Sequence, residues 1–171
     1  PRNVAASFVR VISQDLAHRD SESTFVCSTD IKTFYDSIRR EHLLKILSKR
    51  IKCAEALSLV RHALCTPIVP KNAKRKSHSE YKTELGVPQG LAISNILASI
   101  YMKDVDVEMR RLGVTYYRYV DDVLMYGSHD AVHQAYKSLK SRLSRRGLSL
   151  HTLGSGKTQI KSLQSPFGYL G

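Results

Sequence analysis

The stretch that most restricts the fold is residues 115–126, TYYRYVDDVLMY. It is rich in Thr, Tyr, Val and Leu, yet it carries two adjacent acids, Asp121 and Asp122, at its centre. β-Branched and aromatic residues favour strands, whereas Asp favours turns. A β-hairpin with an acidic turn satisfies both preferences.

The rest of the chain arranges itself around that hairpin. Apolar residues at Val4, Phe8, Val11, Ile12 and Leu16 have the spacing of an amphipathic helix. Residues 18–23 read as a polar turn, and 24–30 as a strand ending in Asp30. Asp36 or Ser37 is expected to cap a helix over 39–47, and 54–64 continues in helical fashion. Residues 67–78 form a basic loop or hairpin tip holding Lys71, Lys74, Arg75 and Lys76. A loop with Pro88 covers 86–90, and a helix over 91–109 is expected to close near Gly113. A further helix spans 131–146, basic in its last turns and ended by Gly147. Short strands are expected at 149–153 and 158–163. The expected class is α+β, an antiparallel sheet with helices packed on one face.

Charge narrows the partners. Lys and Arg number 27 against 15 Asp and Glu, a net charge of +12 over 171 residues. Such a surplus points to a polyanion, either nucleic acid or an acidic membrane. No apolar run is long enough to span a bilayer, and no signal peptide is visible, so nucleic acid is favoured and no membrane partner is expected. Cys27, Cys53 and Cys65 are far apart, with neither metal-ligand spacing nor a disulfide framework. They are expected to be reduced, mostly buried thiols in a cytoplasmic protein. The lack of an initiator Met suggests a fragment of a longer polypeptide.

Asp30, Asp121 and Asp122 are the candidate reactive groups. Three carboxylates brought together repel unless a cation compensates them. Magnesium takes oxygen ligands and keeps positions open for substrate phosphates. Two such ions can activate an attacking hydroxyl and stabilise the leaving oxygen. An Asp-Asp pair taken alone reads rather as an ordinary solvated turn.

The ordered set of motifs says more. Asp30-Ile31-Lys32-Thr33-Phe34-Tyr35-Asp36-Ser37-Ile38 resembles motif A of bacterial reverse transcriptases. Gly86-Val87-Pro88-Gln89-Gly90-Leu91-Ala92-Ile93-Ser94 is similar to motif B, and Tyr119-Val120-Asp121-Asp122 to the motif C box. Gly147-Leu148-Ser149-Leu150 with Lys157-Thr158 is similar to motif D, and Phe167-Gly168-Tyr169-Leu170-Gly171 to the motif E region. The resemblance covers residues 24–171. Phe34-Tyr35-Asp36-Ser37-Ile38 followed by Glu41-His42-Leu43 resembles the phage-defence and retron types, with group II intron proteins also close.

That resemblance implies a right-hand polymerase palm with part of the fingers, the rest of the fingers and the thumb lying outside these residues. It implies an RNA-directed DNA polymerase that uses an RNA template, a DNA or RNA primer and dNTPs. Asp30 and Asp121 would be the main ligands of two Mg2+ ions, with Mn2+ as a substitute. Asp122 would support them, and the Ile31 carbonyl would face a metal. Tyr35 would block a ribose 2′-hydroxyl, while Gln89 and Gly90 would lie against the incoming nucleotide. Ser94 matches a motif B serine. Lys157 is a candidate general acid, although residues 151–156 make its loop longer than in many relatives. Lys71, Lys74, Arg75, Lys76 and Arg118 are candidate contacts to nucleic acid, Arg118 at the primer backbone. The competing readings are a non-catalytic RNA-binding palm, an RNA-dependent RNA polymerase and a nucleotide cyclase.

Overall fold

The computed structural model describes residues 4–66 and 85–169. The chain divides into two compact units, one built from Pro1–Lys32, Val105–Leu143 and Ser149–Gly171, the other from Thr33–Asp104 and Ser144–Leu148.

The first unit holds a four-stranded antiparallel sheet of order β2-β3-β1-β4, where β1 is Phe25–Asp30, β2 Thr115–Tyr119, β3 Asp122–Gly127 and β4 Gln159–Ser162. The expected hairpin forms, with Tyr119 opposite Asp122 and only Val120 and Asp121 between the strands. Val120 has φ 56, the left-handed region. Two-residue hairpin loops favour positive φ because it matches the strand twist. A β-branched residue adopts that φ at a cost.

In β3, Val123, Leu124, Met125 and Tyr126 are all buried. Successive strand residues point to opposite faces, so both faces of the sheet are covered there. On one face helix α1 (Val4–Ala17) brings Ile12 against Val26, Leu124 and Tyr126, flanked by Phe8 and Leu16. Cys27 points to the other face and interacts with Tyr136 of a helix spanning His129–Arg145, whose Val132, Ala135, Leu139 and Leu143 are buried. That helix ends at Gly147, φ 79, as its sequence predicts. The α+β class and the antiparallel sheet are therefore as expected, but helices cover both faces of the sheet rather than one. Residues 149–153 differ: they make one bridge, Leu150 to Ile31, rather than a strand.

The second unit contains helices α2 (Phe34–Ser37), α3 (Arg40–Ser48) and α4 (Ala54–Leu64) and most of α5 (Ser94–Met109), which makes the His129–Arg145 helix α6. Phe34, Ile38, Leu43 and Leu64 are buried within it. Asp36 and Ser37 do not cap α3. They lie inside the single turn of α2, and Arg39 stands at the α3 N-cap without a side-chain bond. Helix α5 starts at Ser94 rather than 91, because Leu91 opens a turn whose carbonyl accepts from the Ser94 N–H at 3.0 Å. Gly113 is not among the left-handed glycines, so it does not close α5. Cys27 is buried but Cys53 and Cys65 are exposed, against the expectation of mostly buried thiols. Among the described residues no helix is long and apolar enough to cross a membrane.

Candidate active site

Three backbone relationships in the first unit bring the acids together. Asp30 ends β1 directly opposite Asp122 at the start of β3. The Ile31 N–H then donates to the Asp121 carbonyl at 3.1 Å, tying the strand end to the hairpin turn. The His151 N–H donates to the Asp30 carbonyl at 3.2 Å, which adds the loop before β4. Ile31 itself is buried.

The electrostatics follow from that proximity. Burial holds the carboxyls of Asp121 and Asp122 above the usual carboxylate range. Neighbouring charge adds to it, from Asp30 on Asp121, and from Asp121 and then Asp30 on Asp122. The Lys157 ammonium donates to Asp30 Oδ2 at 3.0 Å, and this bond raises its pKa. His151 Nε2 lies 3.7 Å from the same oxygen. Asp30 Oδ1 is buried with no hydrogen-bond partner among the described residues. A cavity of about 370 Å³ is lined by Asp30, Asp122, Lys157 and Tyr169, together with Ser28, Thr29, Gly156 and Gly168.

These groups suit a magnesium ion. A buried carboxylate oxygen without a donor is costly, and a cation would compensate it. Among the described residues no three His, Cys, Asp or Glu side chains converge into a ready cage. Magnesium needs none, because it commonly takes one or two carboxylates and completes its shell with water and substrate phosphates.

The backbone on either side of the exposed Lys157 is tied to the loop and to β1. Gly154 N–H donates to the Thr158 carbonyl at 2.9 Å and closes the preceding loop. Thr158 is fully buried and shares a 2.8 Å hydroxyl bond with Thr29 on β1.

Arg118 departs from expectation. Its Nε and one terminal nitrogen donate to the two Asp106 carboxylate oxygens at 2.8 and 2.6 Å. The other terminal nitrogen donates to the Val120 carbonyl at 2.6 Å, and the side chain is 8% exposed. With three of its donors engaged inside the protein and its side chain buried, it braces the hairpin turn instead of reaching a primer phosphate or standing in solvent.

In the second unit Phe34 is buried and Tyr35 half-buried, so Phe34 is the packing aromatic of that pair. The Tyr35 hydroxyl donates to Asn95 Oδ1 on α5. Its backbone carbonyl accepts from the Val87 N–H at 2.8 Å, which backs the Gly86–Gly90 loop onto α2. Ser94 is buried and donates to the Pro88 carbonyl at 2.5 Å. Gln89 and Gly90 are exposed, and Gly90 has φ 90. Lys71, Lys74, Arg75 and Lys76 lie outside the described residues.

Sequence reasoning missed His151, Asn95 and the lining role of Tyr169. Asn95 follows the motif B serine directly and Tyr169 lies in the motif E stretch, so both had a positional signal. His151 had none beyond its place after Gly147-Leu148-Ser149-Leu150.

Residues 2–171 match the family model described as reverse transcriptase (RNA-dependent DNA polymerase). The chain belongs to the reverse transcriptase family. An uncharacterized 91 kDa protein in the cob intron of Schizosaccharomyces pombe is 38% identical over 78 residues, 45% of this chain and 9% of that protein. A putative COX1/OXI3 intron 2 protein of Saccharomyces cerevisiae is 31% identical over 77 residues, 45% of this chain and 8% of that protein. The matches thus span less than a tenth of either relative. Telomerase from Candida albicans, solved with a TWJ fragment of telomeric RNA, shares the fold of this reverse transcriptase chain. The TM-score is 0.69 at 15% identity, covering 100% of this chain and 32% of that one.

Proposed function

We propose that this chain is the catalytic palm of an RNA-directed DNA polymerase that adds dNTPs to a primer 3′-hydroxyl on an RNA template. The observation that carries the reading is the Asp30–Asp122 register together with the Ile31–Asp121 backbone bond. They support it because Asp30, Asp121 and Asp122 thereby occupy neighbouring backbone positions at a strand end and a turn. Family membership supplies the reaction class.

Asp30, Asp121 and the Ile31 carbonyl would hold two Mg2+ ions, with Asp122 in support and Mn2+ as a substitute. When bound, such ions lower the cost of the attacking and leaving oxygens' charge in an in-line displacement. Lys157 Nζ carries the proton offered to the departing pyrophosphate. Tyr35, pinned by Asn95, holds its ring against a ribose 2′-hydroxyl and so selects dNTPs. Gln89 and Gly90 form the exposed lip against which the incoming base pair lies. Lys71, Lys74, Arg75 and Lys76 contact template or primer phosphates, giving binding that weakens steeply with salt. The intron setting named for both fungal relatives favours an intron-encoded enzyme over the retron and phage-defence types.

Primer extension by the full-length protein on oligo(dT)-primed poly(rA), with Mg2+ and dTTP, tests this reading. Wild type extends and Asp121→Asn does not. Equal extension by both would show the metal site to be elsewhere. RNA binding without extension by wild type would turn the reading to a non-catalytic palm. Tyr35→Ala raises the use of UTP relative to dTTP, and an unchanged ratio removes Tyr35 from sugar selection.

A further inference from the structure

We propose that His129 and His133 form a second divalent-ion site, one that takes a transition metal such as copper, zinc or nickel through two imidazole nitrogens. It shares no residue with the carboxylate site.

The two histidines stand four apart on α6, so they share one helix face. Their ring centres are 4.5 Å apart with planes at 50°. Two imidazoles bound to one ion through nitrogens about 2.0–2.1 Å from it have centres on the order of 4.5–5 Å apart. The ring centres therefore already have the spacing that chelation needs.

Asp130 supplies the outer partner. Its Oδ1 lies 2.9 Å from His129 Nδ1. A carboxylate on Nδ1 keeps the proton there and leaves the Nε2 lone pair for a metal, the arrangement that metal-bound histidines commonly use. Phe25 meets the His129 ring edge-on at 4.8 Å, which restricts its rotation and reduces the entropy lost on binding.

His133 also lines a cavity of about 400 Å³ with Leu153, Gly154, Gln159, Ile160 and Lys161. That space accommodates the water ligands of an incomplete protein shell. Among the described residues no third His, Cys, Asp or Glu completes the set, so the site is open. Nitrogen donors suit copper, zinc and nickel, whereas magnesium demands oxygen. The two sites would thus sort ions by donor type.

The test is Cu2+ titration of the full-length protein, followed by electron paramagnetic resonance. Cys53→Ser and Cys65→Ser are made first, because both thiols are exposed and thiolates are copper ligands in general. The expected spectrum shows hyperfine coupling to two nitrogens, and excess Zn2+ abolishes it. His129→Ala and His133→Gln each weaken binding at least tenfold and remove the two-nitrogen pattern, with circular dichroism unchanged. Asp130→Asn weakens it about tenfold, the usual effect of losing an outer partner. His62→Ala, on α4, leaves affinity and spectrum as they were. The same affinity and spectrum in the His129→Ala/His133→Ala double variant would overturn the proposal.

Discussion

Arg118 grips both oxygens of Asp106 at 2.8 and 2.6 Å while a third donor holds the Val120 carbonyl at 2.6 Å. The pair is 8% and 13% exposed, and Asp106 also accepts from the Tyr116 hydroxyl at 2.9 Å. Removing one member leaves a buried charge unpaired, at a cost of about 3–5 kcal/mol. Arg118→Met should therefore lower the urea midpoint strongly. The salt slope of RNA binding, measured where the variant is still folded, should not change. A slope reduced by about one would return Arg118 to the phosphate contacts.

Gly86 and Gly90 separate backbone strain from packing. Both have left-handed φ, 89 and 90. A Cβ on Gly86 would lie 3.2 Å from both the Cα and the carbonyl oxygen of Asp36, whereas one on Gly90 meets nothing within 4 Å among the described residues. Gly90→Ala should cost about 1–2 kcal/mol of stability through its φ alone. Gly86→Ala should cost clearly more in the same unfolding experiment, because α2's backbone must also yield. Equal costs would mean that the loop lifts freely from α2.

Burial pushes the Cys27 thiol up to about 12, from an ordinary 9.0. At pH 8 its thiolate fraction is roughly a thousandfold below that of a free thiol, and the thiolate is the reactive form. Iodoacetamide should label two cysteines of the native protein, Cys53 and Cys65, and the third only in denaturant. Mass spectrometry of the labelled peptides distinguishes the three.

The Tyr126 hydroxyl donates to Asp15 on α1 and, with help from Arg19, lowers the Asp15 pKa. A carboxylate depressed on folding stabilises the protein above its unfolded pKa. That contribution disappears as pH falls through the folded value. The destabilisation caused by Tyr126→Phe should be larger at pH 7 than at the acid end of the carboxylate range. Unfolding curves at both pH values check the sign.

Lys157 is tested by its kinetic signature. As proton donor to the leaving group, its loss in Lys157→Met should lower kcat by 10²–10⁴-fold, the usual range for general acids. KM for dTTP should change little. A raised KM with kcat intact would instead make it a substrate-binding lysine.

Much of this was legible in the chain. The hairpin showed itself through local pattern, β-formers around two acids, and the helices 4–17 and 54–64 through apolar spacing. What escaped was non-local. Arg118 announced a charge, but nothing in its neighbourhood named Asp106, on α5, as its partner. The Asp30–Asp122 register depends on strands far apart in sequence, and only the motif resemblance suggested that they meet. Asp36 and Ser37 have good capping side chains, yet the turn of α2 absorbed both before α3 began.

The sheet order carries a consequence in time. β1 lies inside the sheet, between β3 and β4, and the Asp30–Lys157 contact joins residues 127 positions apart. A ribosome delivers β1 long before either neighbour, so the nascent strand waits with both edges unpaired and its apolar residues uncovered. Long-range pairing of this kind is slow and exposed to aggregation. Asp30 can meet Asp121 and Asp122 only once β3 has emerged, so a product truncated before β3 leaves β1 unpaired and its carboxylate without those neighbours.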